Sequence, residues 1–521
     1  MSLNERQEKY QDALLYLYDH LESAPEGVYQ FLVPTANLDD YITGNGINYL
    51  GILHDVSDVL DREEGLRKVL DLAEDIFDQR SLTPEEEARL EYTVGNAQTG
   101  LLRISGQLTK WDWENPDREE IIRRFRKALA SNGVNNLTTK EIQKSYTNLG
   151  SALSNVGRWI EAFRNWRNAY ELDHSFAQAK GQIGLALRSY ALHIPHQWVS
   201  LVLLQSAHEN LRVALESNEL HRDMRARFTE SYHNIHSTVD PLLLDLNVDL
   251  SDYSYTGTNE KAYREWSVNN RLFLNPINDV STKSRAAQDT LHLPKITRES
   301  NNITISCTGF FNQIKQEYVS ARYELWKGLD GLSGHFSDRG VTRQNTFDFP
   351  QHGLNIERIK GGYKNLYAIF DKIAKLLNEY FDLNYIQEHK LYFDNVWYKS
   401  QGKNALAPEF QNKENWPLRG LFWLSKDLEF GSELSVEDSL EPGAEEIRHL
   451  RNELEHGYVR ILSDFSNSES YENLSREIAH DIHLREFIGK AMKIVNKSRA
   501  AIIYLVLGIH AEESTRTVIF A

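Results

Sequence analysis

Leu149-Gly150 and Ile183-Gly184 stand thirty-four residues apart, and each pair sits inside a stretch with helical spacing of apolar residues. In "YTNLGSALSNVGRWIEAFRNWRNAYELDHSFAQA" the small residues Gly150, Gly157, Ala162 and Ala169 fall where two antiparallel helices must approach closely. Tyr146, Leu149, Leu153, Trp159, Trp166 and Leu172 fill the space between them. A hairpin of this kind cannot bury its faces alone, so the period calls for stacked neighbours. Strand-like alternation is scarce in the same half of the chain.

This pattern resembles a tetratricopeptide repeat, with Tyr146 for the first Trp, Leu153 for Tyr, Trp166 for Phe and His174 where Pro is usual. "LQSAHENLRVALESN" reads as the second helix of the next unit, displaced by an insertion around "HIPHQWVS". Upstream, "YTVGNAQTGLL" and "IIRRFRKALASNG" read as a diverged copy split by the loop "KWDWENPDRE". Helix starts are legible at Thr83, with Pro84 and Glu86 completing a capping box, and again at Thr138 with Glu141. We therefore expect a helical repeat domain over residues 1–219. Its concave surface would, by the resemblance, receive a peptide, a partner protein or another domain.

Composition narrows the class further. A hydrophobic share of 41% with 26% charged residues describes a folded, water-soluble chain. The single cysteine, Cys307, excludes a disulfide framework and any multi-Cys metal site. No signal segment is visible in "MSLNERQEKYQD", and the apolar run Ala500–Ile509 is short of the roughly 20 residues that span a bilayer. The expectation is a cytoplasmic protein without a membrane partner. Net charge is −17, which argues against a general nucleic-acid binder. Residues 1–100 hold 7 Lys/Arg against 21 Asp/Glu, so −14 of that balance lies at the front and a basic pocket can exist further back. "YITGNGINYLG" is glycine-bearing but lacks the Gly-Lys-Ser/Thr ending of a phosphate loop and reads as an ordinary loop.

Residues 220–300 break the helical rhythm and read as a connecting region, ended by Pro276 and Asn278-Asp279. After a short β-like run or loop, "SNNITISCTGF", helices resume over Phe310–Leu329, from Gly361-Gly362, and from Trp416-Pro417. Two more follow in "PGAEEIRHLRNELEHGYVRILSDF" and "REIAHDIHLREFIGKAMKIVNKSRAAIIYLVLGI". Four or five helices make a compact bundle over residues 301–521, and the whole chain reads as all-α.

The helix "HLRNELEHGY" carries the chemistry. On a helical wheel Ile447, Leu450, Leu454, Tyr458 and Ile461 form its apolar stripe. Asn452 and His456, four residues apart, share nearly the opposite side, and Arg451 lies at the stripe's edge over Glu455. Asn452 is placed to bond one nitrogen of His456, and Arg451 offers a planar fork suited to phosphate. Other candidates are weaker. His480 and His483 lack a third metal ligand and read as exposed helix histidines. The aromatic stretch Lys390–Lys403 can stack a base but reads as a loop packed on the bundle, and Glu317 and Glu324 can reach the cleft.

Arg451-Asn452-x3-His456 on a helix of a C-terminal bundle, behind a repeat array, resembles the motif of HEPN domains. "FFNQIKQEYVSARYELW" and "LRNELEHGYVRI" are similar to a bacterial subfamily of these. The resemblance implies a HEPN domain over residues 301–521 and an endoribonuclease, toxin-like or antiviral, that needs no metal or cofactor. It implies RNA as substrate, a homodimer with facing motif helices, and a 2′,3′-cyclic phosphate product. His456 would move protons, Arg451 would stabilise charge on phosphorus, and Asn452 would orient His456 or hold a phosphate oxygen. Arg451 and His456 lie about 140° apart on one ideal helix, a separate reason to expect two chains at one phosphate. The alternative is a repeat scaffold whose HEPN bundle only dimerises or binds nucleotide or protein.

Overall fold

The computed structural model describes residues 3–34, 43–79, 81–246, 248–251, 255, 257–297, 301–331, 334–344, 350–428, 440–463 and 479–519. Helices dominate, with two short strands among the described residues, so the fold is all-α. Helices α1 (Leu3–Asp19), α2 (Pro25–Leu32), α3 (Thr43–Val59), α4 (Glu63–Gln79), α5 (Pro84–Ile104) and α6 (Pro116–Ala130) are followed by α7 (Thr139–Ser154) and α8 (Trp159–Leu172). Next come α9 (Ala177–Ala191), α10 (Gln197–Glu216), α11 (Arg222–Thr238), α12 (Pro241–Leu244) and α13 (Thr258–Asn269). The rest are α14 (Asn301–Asp330), α15 (Leu354–Phe381), α16 (Pro408–Gln411), α17 (Trp416–Ser425), α18 (Ala444–His456) and α19 (Leu484–Ile519). Two strands, β1 (Tyr458–Leu462) and β2 (Ala479–His483), separate α18 from α19.

The chain divides into two compact units. The first comprises residues 1–183, 210–230 and 440–442, the second 184–209, 231–439 and 443–521.

In the first unit the capping boxes read from sequence are present. The Thr83 and Thr138 side chains each accept from the backbone N–H three residues on, and Glu86 and Glu141 reach back. Each satisfies two donors that a helix start otherwise leaves unpaired. The α7–α8 hairpin closes as its small residues require. A Cβ at Gly150 would lie 2.6 Å from the Trp166 indole nitrogen, so glycine is what lets Trp166 lie against α7. That indole N–H then donates to the Thr147 carbonyl at 3.1 Å. One reading fails here: "YITGNGINYLG" is no loop, because α3 begins at Thr43 and buries Ile47, Leu50, Leu53 and Val56 at helical spacing.

Several element boundaries further along the chain differ from expectation. The expected insertion "HIPHQWVS" is only partly one, since Gln197 already opens α10. The expected connecting region contains α11 and α13, of 17 and 12 residues. "SNNITISCTGF" was expected as strand or loop, yet α14 is helical from Asn301. Its apolar stripe starts at Cys307 and continues through Phe311, Ile314, Tyr318, Ala321 and Leu325, all buried, and that burial outweighs the strand preference of β-branched residues. Gly361-Gly362 lie inside α15, which starts at Leu354. A Cβ at Gly362 would stand 3.2 Å from the Ala321 carbonyl oxygen, so this glycine marks the close approach of α14 and α15. The final segment yields β2 before α19, so His480 and His483 stand on a strand.

Buried ion pairs fasten this second core. Arg499 of α19 meets Asp279 at 2.8 Å and donates to the Phe273 and Asn275 carbonyls at 2.7 and 3.2 Å. Arg322 of α14 meets Asp289 at 2.7 Å and the Leu272 carbonyl at 2.9 Å. These pairs tie an irregular stretch, residues 270–290, to the long helices by supplying donors for its buried carbonyls. Helix α19 is long and apolar enough to cross a bilayer, but 83% of the relevant window is buried inside the protein.

Candidate functional site

Helix α18 is set by its sequence. Gly443, at φ 79°, turns the chain into it, and Glu445 and Glu446 occupy the first turn, where negative charge favours the helix dipole. Ile447 and Leu450 are buried, Leu454 is half-buried, and the Tyr363 hydroxyl of α15 donates to the Ile447 carbonyl at 2.9 Å. Lys490 of α19 pairs with Glu446 and lies 3.1 Å from Glu486.

The helix ends earlier than the wheel expects. Gly457 is extended, its N–H donates to the Glu453 carbonyl at 2.9 Å, and the next residues are strand. Tyr458 and Ile461 are therefore not part of the helical stripe. They lie on β1, which runs parallel to β2 with Tyr458 opposite Ala479 and Ile461 opposite Ile482. The alternating, β-branched "YVRIL" favours a strand as soon as glycine releases the helix. Arg460 and Asp481 pair across the two strands, with Nε 2.5 Å from Oδ1. His456 is thereby the last residue of α18, at a defined helix-to-strand corner.

The three motif residues come together differently from expectation. Asn452 does not orient His456: its Oδ1 accepts from the Arg451 guanidinium at 2.9 Å. Arg451 also lies 3.3 Å from Glu455 Oε2, as the i,i+4 spacing implies. The His456 Nε2 is 3.6 Å from that same oxygen, and its side chain is 79% exposed. One oxyanion thus stands between Arg451 and His456 within a single chain. Side-chain reach closes the gap that the 140° separation leaves open.

Two residues behind Arg451 went unread in the sequence. Its guanidinium lies 5.8 Å from the ring centre of Tyr367 on α15. Burial pushes the Tyr367 hydroxyl up to about 12, with Asp371 adding to the effect and Arg448 and Arg451 opposing it. Asp371, one turn further along α15, has its carboxyl raised by burial, and the positive charge of Arg451 partly offsets this. Tyr367 and Asp371 stand four apart on a helix, which offered a signal, but only the packing of α18 on α15 gives it a target.

The remaining candidates sit elsewhere. Glu317 pairs with Lys372, and Glu324 lies 3.4 Å from Arg358, so both serve the α14–α15 contact. In Lys390–Lys403, Phe393, Trp397 and Tyr398 are buried, and the Trp397 indole N–H donates to the Phe393 carbonyl at 2.9 Å. The segment is a packed loop, with Tyr392 left exposed. His480 lies beside His449 with ring centres 5.0 Å apart and planes tilted by 47°, and burial together with that neighbour lowers its pKa. Among the described residues no group of three or more His, Cys, Asp or Glu gathers as a metal site.

Residues 298–512 match the family model described as LA2681-like HEPN. The match covers less than half of the chain and contains the whole of α18 with its Arg451, Asn452 and His456. No curated protein and no solved structure matches the chain.

Proposed function

We propose that this HEPN-domain chain is a metal-independent endoribonuclease whose site is built on α18. The observation that carries the reading is the shared oxyanion position between Arg451 and His456, on an exposed helix corner. In the proposed reaction His456 takes the proton of an RNA 2′-OH, whose oxygen attacks the adjacent phosphorus. The P–O5′ bond breaks, leaving a 2′,3′-cyclic phosphate and, once the alkoxide regains a proton, a 5′-OH. Arg451, its fork held by Asn452, stabilises the charge that develops on the phosphoryl oxygens. The acting unit is a homodimer whose facing motif helices line one cleft, each bringing its own Arg451 and His456 to it. The N-terminal helical array acts as a tetratricopeptide-type sensor or restraint on a toxin-like or antiviral activity in the cytoplasm.

Incubating the purified chain with RNA in excess EDTA tests this. Cleavage is expected to persist and to leave 2′,3′-cyclic phosphate ends, and Arg451→Ala is expected to stop it. Cleavage that EDTA abolishes, or that Arg451→Ala leaves intact, defeats the proposal. If no cleavage is seen and the chain still dimerises, the scaffold reading replaces it.

Glu455 gives a second test. Its carboxylate holds the place that a phosphate oxygen would take, so it competes with substrate for Arg451 and His456. Glu455→Gln removes that charge and is expected to tighten RNA binding by roughly 2- to 5-fold, the range of a partly exposed ion pair. Fluorescence anisotropy of a labelled RNA measures it, and weaker binding would assign Glu455 a supporting role instead.

A further inference from the structure

Away from the motif helix, within the second unit, a cavity of about 440 Å³ opens between the start of α10, the irregular stretch 275–292 and the middle of α19. Protein cores are packed to near crystal density and leave few voids larger than a water, whose share of liquid volume is about 30 Å³. This space falls instead in the size range of small-molecule sites. One turn of helix with its side chains, about 10–12 Å across and 5.4 Å long, would already fill it. The volume therefore suits a small molecule and not a segment of protein.

Apolar side chains make most of its wall. Ile194, Ile277, Leu291, Val506 and Leu507 line it and belong to the buried core, so packing fixes its shape. The half-buried Trp198 and Val199 continue that wall. The polar groups of the lining are already committed to the protein. Asn275 donates to the Arg285 carbonyl at 3.1 Å and accepts from Ile277 N–H at 3.0 Å. The His510 Nε2–H donates to the His292 carbonyl at 3.2 Å, and burial lowers the pKa of His510 and so favours its neutral ring. Arg285 stacks its guanidinium 5.3 Å from the ring centre of Trp198 and has a further partner, so it is no free cation. Among the described residues no Asp, Glu or Lys lines the space.

We infer that this cavity is a binding site for an uncharged, largely apolar small molecule, held by burial and not by a charged anchor. The driving force is the apolar surface that ligand and wall both withdraw from water, which is non-directional and grows with the area covered. A charged head would lose its hydration here and find no unspent counter-charge in return. The site is separate from α18, and its occupancy does not depend on any ribonuclease activity.

The test titrates the full chain with two dyes of similar body. One is the uncharged N-phenyl-1-naphthylamine, and the other is 8-anilinonaphthalene-1-sulfonate, which carries an anionic head. The uncharged dye is expected to bind saturably at one per chain, and the sulfonate to bind no tighter. Gln288→Trp, at a half-buried lining position, should weaken the uncharged dye at least 10-fold while circular dichroism stays native. If that variant fails to fold, Val199→Trp fills the same space from another part of the wall. Dye binding that is unsaturable, or unchanged in the folded blocking variant, overturns the site. Tighter binding of the sulfonate to the wild-type chain overturns the uncharged ligand.

Discussion

His456→Ala is expected to lower the rate of RNA cleavage by about 10²- to 10⁴-fold, the usual contribution of a positioned acid–base group. The variant should nevertheless fold as the wild type does. The His456 side chain is 79% exposed and ends its helix, with the Glu455 carboxylate at 3.6 Å. Surface substitutions of this kind change stability by only about 0.5 kcal/mol. An unchanged melting curve beside a collapsed rate would therefore assign the loss to chemistry. Growth arrest on expression in bacteria, relieved by the same substitution, is the corresponding readout in cells. If His456→Ala cuts RNA at the wild-type rate, the catalytic role proposed for this helix is wrong, whatever residues 298–512 bind.

Asp279→Ala is expected to have the largest effect on stability, at about 3–5 kcal/mol, because it leaves a buried guanidinium without its counter-charge. Arg499 is fully buried, and Asp279, itself buried, meets it at 2.8 Å. The carbonyls of Phe273 and Asn275 keep two of the guanidinium's hydrogen bonds but cannot neutralise it. Tyr190 would also lose an acceptor, since its hydroxyl lies 3.4 Å from the Asp279 carboxylate. Urea unfolding followed by fluorescence should show the midpoint falling sharply. The double variant Asp279→Ala/Arg499→Met should recover part of the loss, because an apolar replacement removes the stranded charge. A single variant as stable as the wild type would mean that the pair holds nothing together.

Much of the fold was legible because its signals are local. The capping boxes at Thr83 and Thr138 depend on residues three apart, and the Gly150–Trp166 fit depends on one helical hairpin. The Arg451–Glu455 pair follows from helical spacing alone. Boundaries failed where a distant partner decides them. "SNNITISCTGF" joins α14 because Cys307 and Phe311 extend a buried stripe, and Gly362 sits mid-helix because α14 comes close there. Tyr458 left the helix for a strand because β2, some twenty residues later, offers it a ladder.

The candidate site divides in the same way. The identity and order of Arg451, Asn452 and His456, their place on a helix, and the resemblance they carry were all contained in the sequence. Composition and period likewise determined an all-α chain with helical hairpins in front. Only the tertiary structure decided that Asn452 serves Arg451, that Glu455 stands between Arg451 and His456, and that Tyr367 and Asp371 lie behind them. Short-range pattern fixes helical periodicity and caps, because those bonds close within a turn. Which side chains meet across helices depends on packing, and no local window contains that information.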